Sequence, residues 1–281
     1  MKNQTEHKNS EVRRRLLKTG ALFLLGSLRW GYGTPIVNAQ SDTDLPPVDP
    51  TNISSPNALI NPLSSEKFEP YPGRPWTRAV TSVSDSSGRV DKWEWISITT
   101  PEKPFKFSHN PNVGNWSMQS LLGGQPIDVN GDVLVLTELE LDTPPSEINT
   151  GIMVHNNEPV TEGNHRRISV GARGSDLYFA YWDGSPSRSY TVNIPSISPL
   201  NYDQDNRLLL NVGIYLPADG KYSKLLLPDG NTTSPIDLKG TSFKNPGQNK
   251  IDVAVSTTPE VQNTVNKLMI IHKLSSPKTI A

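Results

Sequence analysis

Cysteine is absent from all 281 residues. Disulfides, thiolate metal ligands and lipid attachment through cysteine are therefore excluded, and stability has to come from an ordinary core or a bound ion. Long apolar runs are missing too. The stretch Ala21–Leu28 ends at Arg29, well short of the roughly 20 apolar residues that a spanning helix needs, so no stable membrane insertion is expected. Basic blocks are scarce beyond the N-terminus. Residues 1–39 hold seven Lys and Arg against Glu6 and Glu11; removing these from totals of 27 and 28 leaves 20 basic and 26 acidic residues, a formal net charge of −6. Phosphate neutralisation needs clustered cations, so nucleic acid is not an expected partner. No glycine-rich phosphate loop and no serine in a nucleophile elbow occur. His109, His155, His165 and His272 lack the close spacing of a zinc site.

What is present begins with an address. Arg13-Arg14-Arg15-Leu16-Leu17-Lys18 precedes the apolar run, and Val37-Asn38-Ala39 closes it with a small residue. A basic cluster, a short apolar segment and a small-residue end make a bacterial export signal. The arginines, the two leucines and Lys18 resemble the twin-arginine pattern. That resemblance implies passage through the twin-arginine translocation machinery and a periplasmic or secreted location. Residues 1–39 are thus read as a signal peptide. Residues 40–66 contain Leu45-Pro46-Pro47-Val48-Asp49-Pro50 and Ser54-Ser55-Pro56. Such a Pro/Ser-rich stretch buries too little apolar surface to offset its ordering entropy, and is read as a linker.

Residues 67–281 read as one β-sandwich domain. Val133–Leu141 alternates with Val133, Val135, Leu139 and Leu141 on one face, a period of two. Further short runs follow at Gly151–His155, Arg167–Ala172, Leu177–Trp182, Tyr190–Ile194, Arg207–Leu216, Lys224–Leu227, Ile251–Val255 and Lys267–Leu274. Asn130-Gly131, Arg173-Gly174-Ser175, Asp183-Gly184, Asp219-Gly220 and Asp229-Gly230 cut them with turn chemistry. No long helical stripe follows the signal; one helical turn is allowed around Pro259–Asn266. Leu208-Leu209-Leu210 is apolar on both faces, as in a strand covered on both sides. Regular short strands without an internal repeat predict an antiparallel two-sheet sandwich.

The run from Val133 to Gly230 resembles the concanavalin A-like lectin/glucanase and laminin G-like jelly roll. The residues that carry this likeness are the strand Val133–Asp142, then Gly151–His155, Arg166–Gly171, Leu177–Gly184 and Arg207–Gly213. The resemblance implies an all-β, two-sheet antiparallel jelly-roll sandwich. It also implies binding or cleavage of polysaccharide, or protein binding, on a sheet face or its rim.

Strand parity sorts candidate residues. Glu138 and Glu140 emerge opposite the apolar row of their strand; His155, Arg167, Tyr178 and Trp182 emerge opposite theirs. If those strands are neighbours, the six line one surface. An aromatic ring for a sugar's C–H face, with planar polar groups for its hydroxyls, suits polysaccharide recognition. The same residues also read as a solvated face on which Arg167 pairs with Glu140. Two enzyme readings share the surface. Glycosidases of the superfamily carry Glu-x-Asp-x-x-Glu, whereas here Glu138 and Glu140 are followed by Thr143 at the final position. Jelly-roll lyases use a histidine two residues after a glutamine, where Met153 stands before His155, with Arg167 and Tyr178 for charge neutralisation and proton donation. A structural or adhesion module remains a third reading. Asp128, Asn130 and Asp132 place oxygen ligands at alternate positions, the arrangement that admits calcium, and Tyr202-Asp203-Gln204-Asp205-Asn206 is a second acidic turn. The first of these also reads as an ordinary Asn-Gly turn.

Overall fold

The computed structural model describes residues 68–84, 90–99, 104–145, 150–158, 165–183, 189–193, 200–227, 232–238, 243 and 249–274. The signal peptide and the linker expected from the sequence, residues 1–66, lie outside these. The described residues form strands and a single 3-10 turn, Pro111–Val113, with no α-helix and hence no helix able to cross a membrane. In chain order the strands are β1 Glu69–Pro70, β2 Thr77–Ser84, β3 Val90–Ser97, β4 Phe105–Phe107, β5 Ser117–Ser120, β6 Ile127–Asp128, β7 Val133–Leu141 and β8 Thr150–His155. They continue with β9 Arg167–Arg173, β10 Asp176–Trp182, β11 Ser189–Asn193, β12 Leu208–Leu216, β13 Tyr222–Leu226, β14 Ile236–Asp237, β15 Lys250–Thr257 and β16 Asn263–Lys273. The helical turn allowed around Pro259–Asn266 is instead a short turn at Pro259–Glu260, with β16 starting at Asn263.

Two antiparallel sheets result. One runs β1-β2-β3-β16-β7-β12-β13-β14, with β4 also on β16; the other runs β11-β10-β9-β8-β15-β5, with β6 also on β15. This is the two-sheet sandwich that the alternation predicts, with the jelly-roll form that the resemblance implies. Its core follows from register. In the nine-stranded sheet Ile96, Ile270, Val135, Ile214 and Leu225 lie side by side across five strands. In the seven-stranded sheet Val253, Val154, Ile168 and Tyr181 do the same. Both rows belong to one buried cluster between the sheets, because side chains alternate faces and the apolar half of each strand turns inward.

The nine-stranded sheet also carries an apolar layer on its outer face. Ala79, Trp95, Ile271, Leu134 and Tyr215 form a second cross-strand row, and Trp93, Leu136, Leu226 and Met269 join them in a separate buried cluster. The two-sided apolar character anticipated at Leu208-Leu209-Leu210 is therefore real for this sheet, although it is strongest further along β12, at Tyr215.

One ionic group is sealed at the inner side of this sheet. Glu94 Oε2 lies 2.8 Å from His272 Nε2, and Arg78 Nη1 donates to Glu94 Oε1 at 3.1 Å. Burial pushes the Glu94 carboxyl up, but the bonds and charges of His272 and Arg78 outweigh it and hold the carboxyl below its ordinary 4.5. A carboxyl with a depressed folded-state pKa contributes stability that is full above the unfolded value and is lost as pH falls through the folded one. We expect the urea stability of the wild type to fall on acidification below about pH 4.5, and Glu94→Gln to remove part of that slope. An unchanged slope in the variant excludes the linkage.

The seven-stranded sheet is pinned by a glycine pair. Gly151 faces Gly171 across β8 and β9. A Cβ on Gly151 would sit 2.2 Å from the Val170 carbonyl oxygen, and one on Gly171 would sit 2.1 Å from that of Thr150. Backbone cannot yield as a flexible side chain does, so Gly171→Ala is expected to cost about 1–3 kcal/mol in thermal or urea denaturation. A neutral Gly171→Ala contradicts this close approach.

Candidate functional site

Register places Asp252, His155, Arg167 and Trp182 in one row across β15, β8, β9 and β10, on the outer face of the seven-stranded sheet. Each is on the opposite side of its strand from the inward-facing Val253, Val154, Ile168 and Tyr181. Arg167 is flanked by two indoles. Its Cζ lies 4.6 Å from the centre of the Trp182 ring and 5.2 Å from that of Trp116. Trp182 comes from the neighbouring strand β10. Trp116 precedes β5, which lies on the other side of β9 beyond β8 and β15. All three side chains are half-buried, so the rings exclude water from the guanidinium while leaving apolar faces at the surface.

Beside this pair lies a compact polar group. His165 stacks against Trp182 at 5.4 Å and against His155 at 5.2 Å between ring centres. His165 Nδ1 is 2.7 Å from the Glu158 carbonyl oxygen; an oxygen that only accepts requires this nitrogen to carry the hydrogen. Burial lowers the pKa of His165, and the bond to Glu158 opposes the shift only in part. The ring is thus neutral, and its Nε2 is a buried lone pair without a partner. His155 Nε2 is 3.5 Å from Asp252 Oδ2. Asp252 is positioned in turn by Ser120, whose Oγ donates to Asp252 Oδ1 at 2.9 Å and accepts from the backbone N–H groups of Leu122 and Gly124. Asn156 Oδ1 accepts from Arg166 N at 2.9 Å and tethers the start of β9 to the end of β8.

The structure therefore keeps three of the expected residues together and separates the others. His155, Arg167 and Trp182 share one row. Tyr178 is on the same face but four residues along β10 from Trp182, roughly 13 Å by strand rise. Its ring is fully buried, burial raises its pKa strongly, and its hydroxyl has no hydrogen-bond partner. Glu138 and Glu140 correct the expectation of a single surface. Their strand β7 lies between β16 and β12 in the nine-stranded sheet, so both carboxylates emerge on the opposite side of the sandwich. There Glu138 faces Lys267 and Asn211, and Glu140 faces Thr264 and Leu209. Burial raises the pKa of Glu138, with Lys267 opposing; burial also pulls Lys267 down to about 8. The pairing of Arg167 with Glu140 is excluded by the same separation.

Both acidic turns are held by hydrogen bonds of their own side chains. Asp132 Oδ1 accepts from Ala218 N at 2.6 Å, and Asn130 Oδ1 accepts from Asn249 Nδ2 at 2.9 Å, while Asp128 is exposed at the β6 edge. In the second turn Asp203 Oδ1 accepts from the backbone of Asp205 and Arg207, and the Arg207 side chain pairs with Asp203 and Asp205. Among the described residues no group of three or more His, Asp or Glu side chains is placed to share a metal ion.

Sequence reasoning missed Trp116, His165, Ser120 and Asp252. Asp252 left a signal, a lone acid on the polar side of Ile251–Val255. Trp116 and His165 lie in loops, where no alternation announces a direction. Removing Asp252 leaves Ser120 and His155 without their shared acceptor in a buried setting; Asp252→Ala is expected to cost about 1–3 kcal/mol of stability by chemical denaturation. A change within experimental error means that this row is not held through Asp252.

The sequence matches no protein-family model and no curated protein. Solved structures do share features of the fold. A structure of botulinum neurotoxin type C matches with 11% identity over 75% of this chain, at a TM-score of 0.33, and this chain spans 42% of it. A lectin from Bauhinia forficata in complex with GalNAc matches with 8% identity over 75% of this chain and 91% of its own, TM-score 0.33. The CBM40 of Ruminococcus gnavus IT-sialidase, bound to α2,6-sialyllactose, matches with 14% identity over 62% and 93%, TM-score 0.39. At these scores the likeness carries no argument about the site. The class is set by the chain's own topology, a two-sheet antiparallel jelly-roll sandwich.

Proposed function

We propose that this is an exported carbohydrate-binding protein that seats a polysaccharide on the outer face of its seven-stranded sheet. Export by the twin-arginine route to the periplasm or beyond rests on Arg13-Arg14-Arg15-Leu16-Leu17-Lys18, the apolar run and Ala39. The observation that carries the binding reading is the Trp116–Arg167–Trp182 arrangement. Half-buried indole faces offer the flat apolar surface that a pyranose C–H face packs on, and the polar groups beside them can fix hydroxyl positions.

Catalysis fits less well. A β-elimination needs a base and an acid near one carbon, and His155 and Tyr178 stand on different rows of the face, two strands apart. Glycosidase chemistry needs two carboxyls about 5–10 Å apart around the scissile bond. Glu138 and Glu140 are the expected pair, and they are on the opposite face.

Affinity electrophoresis of the full chain against a polysaccharide panel tests the reading, with reducing-sugar and unsaturated-uronate assays on the same mixtures. We expect retardation without products, and a loss of about five- to thirtyfold in affinity for Trp182→Ala. Glu138→Gln should bind as the wild type does, since its side chain is on the far sheet. Product formation would make the protein an enzyme, and silence across the panel would remove the carbohydrate reading.

A further inference from the structure

We infer that the group recognised at Arg167 is a carboxylate, so that the ligand is an acidic glycan built from uronic or sialic-type sugars. This deepens the reading of the face as a sugar platform and rests on it. The reason is an unbalanced charge. Arg167 is half-buried beside Trp116 and Trp182, and the groups that interact with it among the described residues are these two rings, the Tyr178 hydroxyl and His165, none of them a carboxylate. It makes no hydrogen bond or ion pair with a described carboxylate. The row itself shows why. Asp252, the acid in line with it, is two strands away, about 10 Å by strand spacing. It is also engaged by Ser120 on its far side and by His155, which stands between it and the arginine.

A guanidinium withdrawn from water without a partner is costly, and the cost is recovered only when an anion supplies charge-assisted bonds. Neutral hydroxyls return part of the lost hydration; a carboxylate returns the charge as well. Geometry narrows the anion further. Trp116 and Trp182 meet the guanidinium through their rings, 5.2 and 4.6 Å from Cζ, and no carboxylate among the described residues takes up its edge of N–H donors. That edge is a planar fork, which a planar carboxylate meets with two parallel bonds. The indoles beside it then have the remainder of the sugar ring to recognise.

Non-specific attraction does not produce the same outcome. Beyond residue 39 the chain carries a formal net charge of −6, which repels polyanions at long range. Recognition of an acidic polymer by this protein is therefore a local event at one arginine. Sulfated polymers of high charge density gain nothing from it beyond what a carboxylated one does.

The experiment is binding of the full chain to polygalacturonate, alginate, hyaluronan and sialyllactose, each beside its carboxyl-reduced counterpart, with dextran sulfate as a charge control. We expect at least one acidic glycan to bind, and its reduced form, identical but for the charge, to bind about tenfold or more weakly. Arg167→Gln should bring the two forms to the same affinity, and Arg167→Lys, which keeps the charge but loses the fork, should fall between. A thermal melt establishes that each variant is folded, and the wild-type comparison of acid with reduced glycan stands without any variant. Equal binding of acid and reduced forms overturns the carboxylate while leaving the platform in place. Dextran sulfate binding as tightly as the best carboxylated glycan overturns it as well. Absence of binding to every glycan, charged or neutral, overturns the platform and this inference with it.

Discussion

The contact between Gly151 and Gly171 is the constraint from which the geometry of the outer face follows. Two backbones that meet with no room for a Cβ admit one register only. In that register His155 stands opposite Arg167, and β10 and β15 extend the row to Trp182 and Asp252. A slip of one residue would reverse every side chain of the strand, sending Arg167 inward and Ile168 to solvent. The site is therefore as precise as the sheet, and its residues need no loop to aim them. Only Trp116 and His165 come from connecting segments, and both are held by stacking on residues of the row.

The two outer faces of the sandwich have different characters. The seven-stranded sheet presents a mixed row of acid, imidazole, guanidinium and indole. The nine-stranded sheet presents a buried apolar cluster around Trp95, Ile271, Leu134 and Tyr215, giving way to Glu138, Lys267 and Glu140 toward one end. Elsewhere in the molecule charge is paired. Arg207 neutralises its own acidic turn, and Glu94 is satisfied by His272 and Arg78. Arg167 has aromatic neighbours in place of a carboxylate, and strand parity turns it outward.

Much of the fold was legible in the sequence because the signal was local. Val133–Leu141 is bounded in the structure as its alternation indicates, and the inward and outward assignments for Gly151–His155, Arg167–Ala172 and Leu177–Trp182 hold residue by residue. The site was legible only in part, since parity states which side of a strand a residue takes and not which sheet the strand joins. Glu138 was rightly placed outward, yet outward from β7 is the far side of the molecule. Sheet membership depends on long crossovers, and these leave no mark on periodicity. The strand β2, with Arg78, Val80 and Ser82 on one side, was hidden for another reason: an edge-proximal strand with polar residues on its inward side lacks the contrast that alternation needs. Signal peptide and linker fall outside the described residues.

The place of β16 has a consequence for the order of events during synthesis. It is hydrogen-bonded on one side to β3 and on the other to β7, so the last of the described strands sits in the middle of the larger sheet. Until residue 273 has left the ribosome, β2 and β3 have no connection to β7 and β12, and the apolar faces of both halves stay open. Loop closure across so long a span is slow. The nine-stranded sheet is thus joined into one only when β16 inserts between β3 and β7.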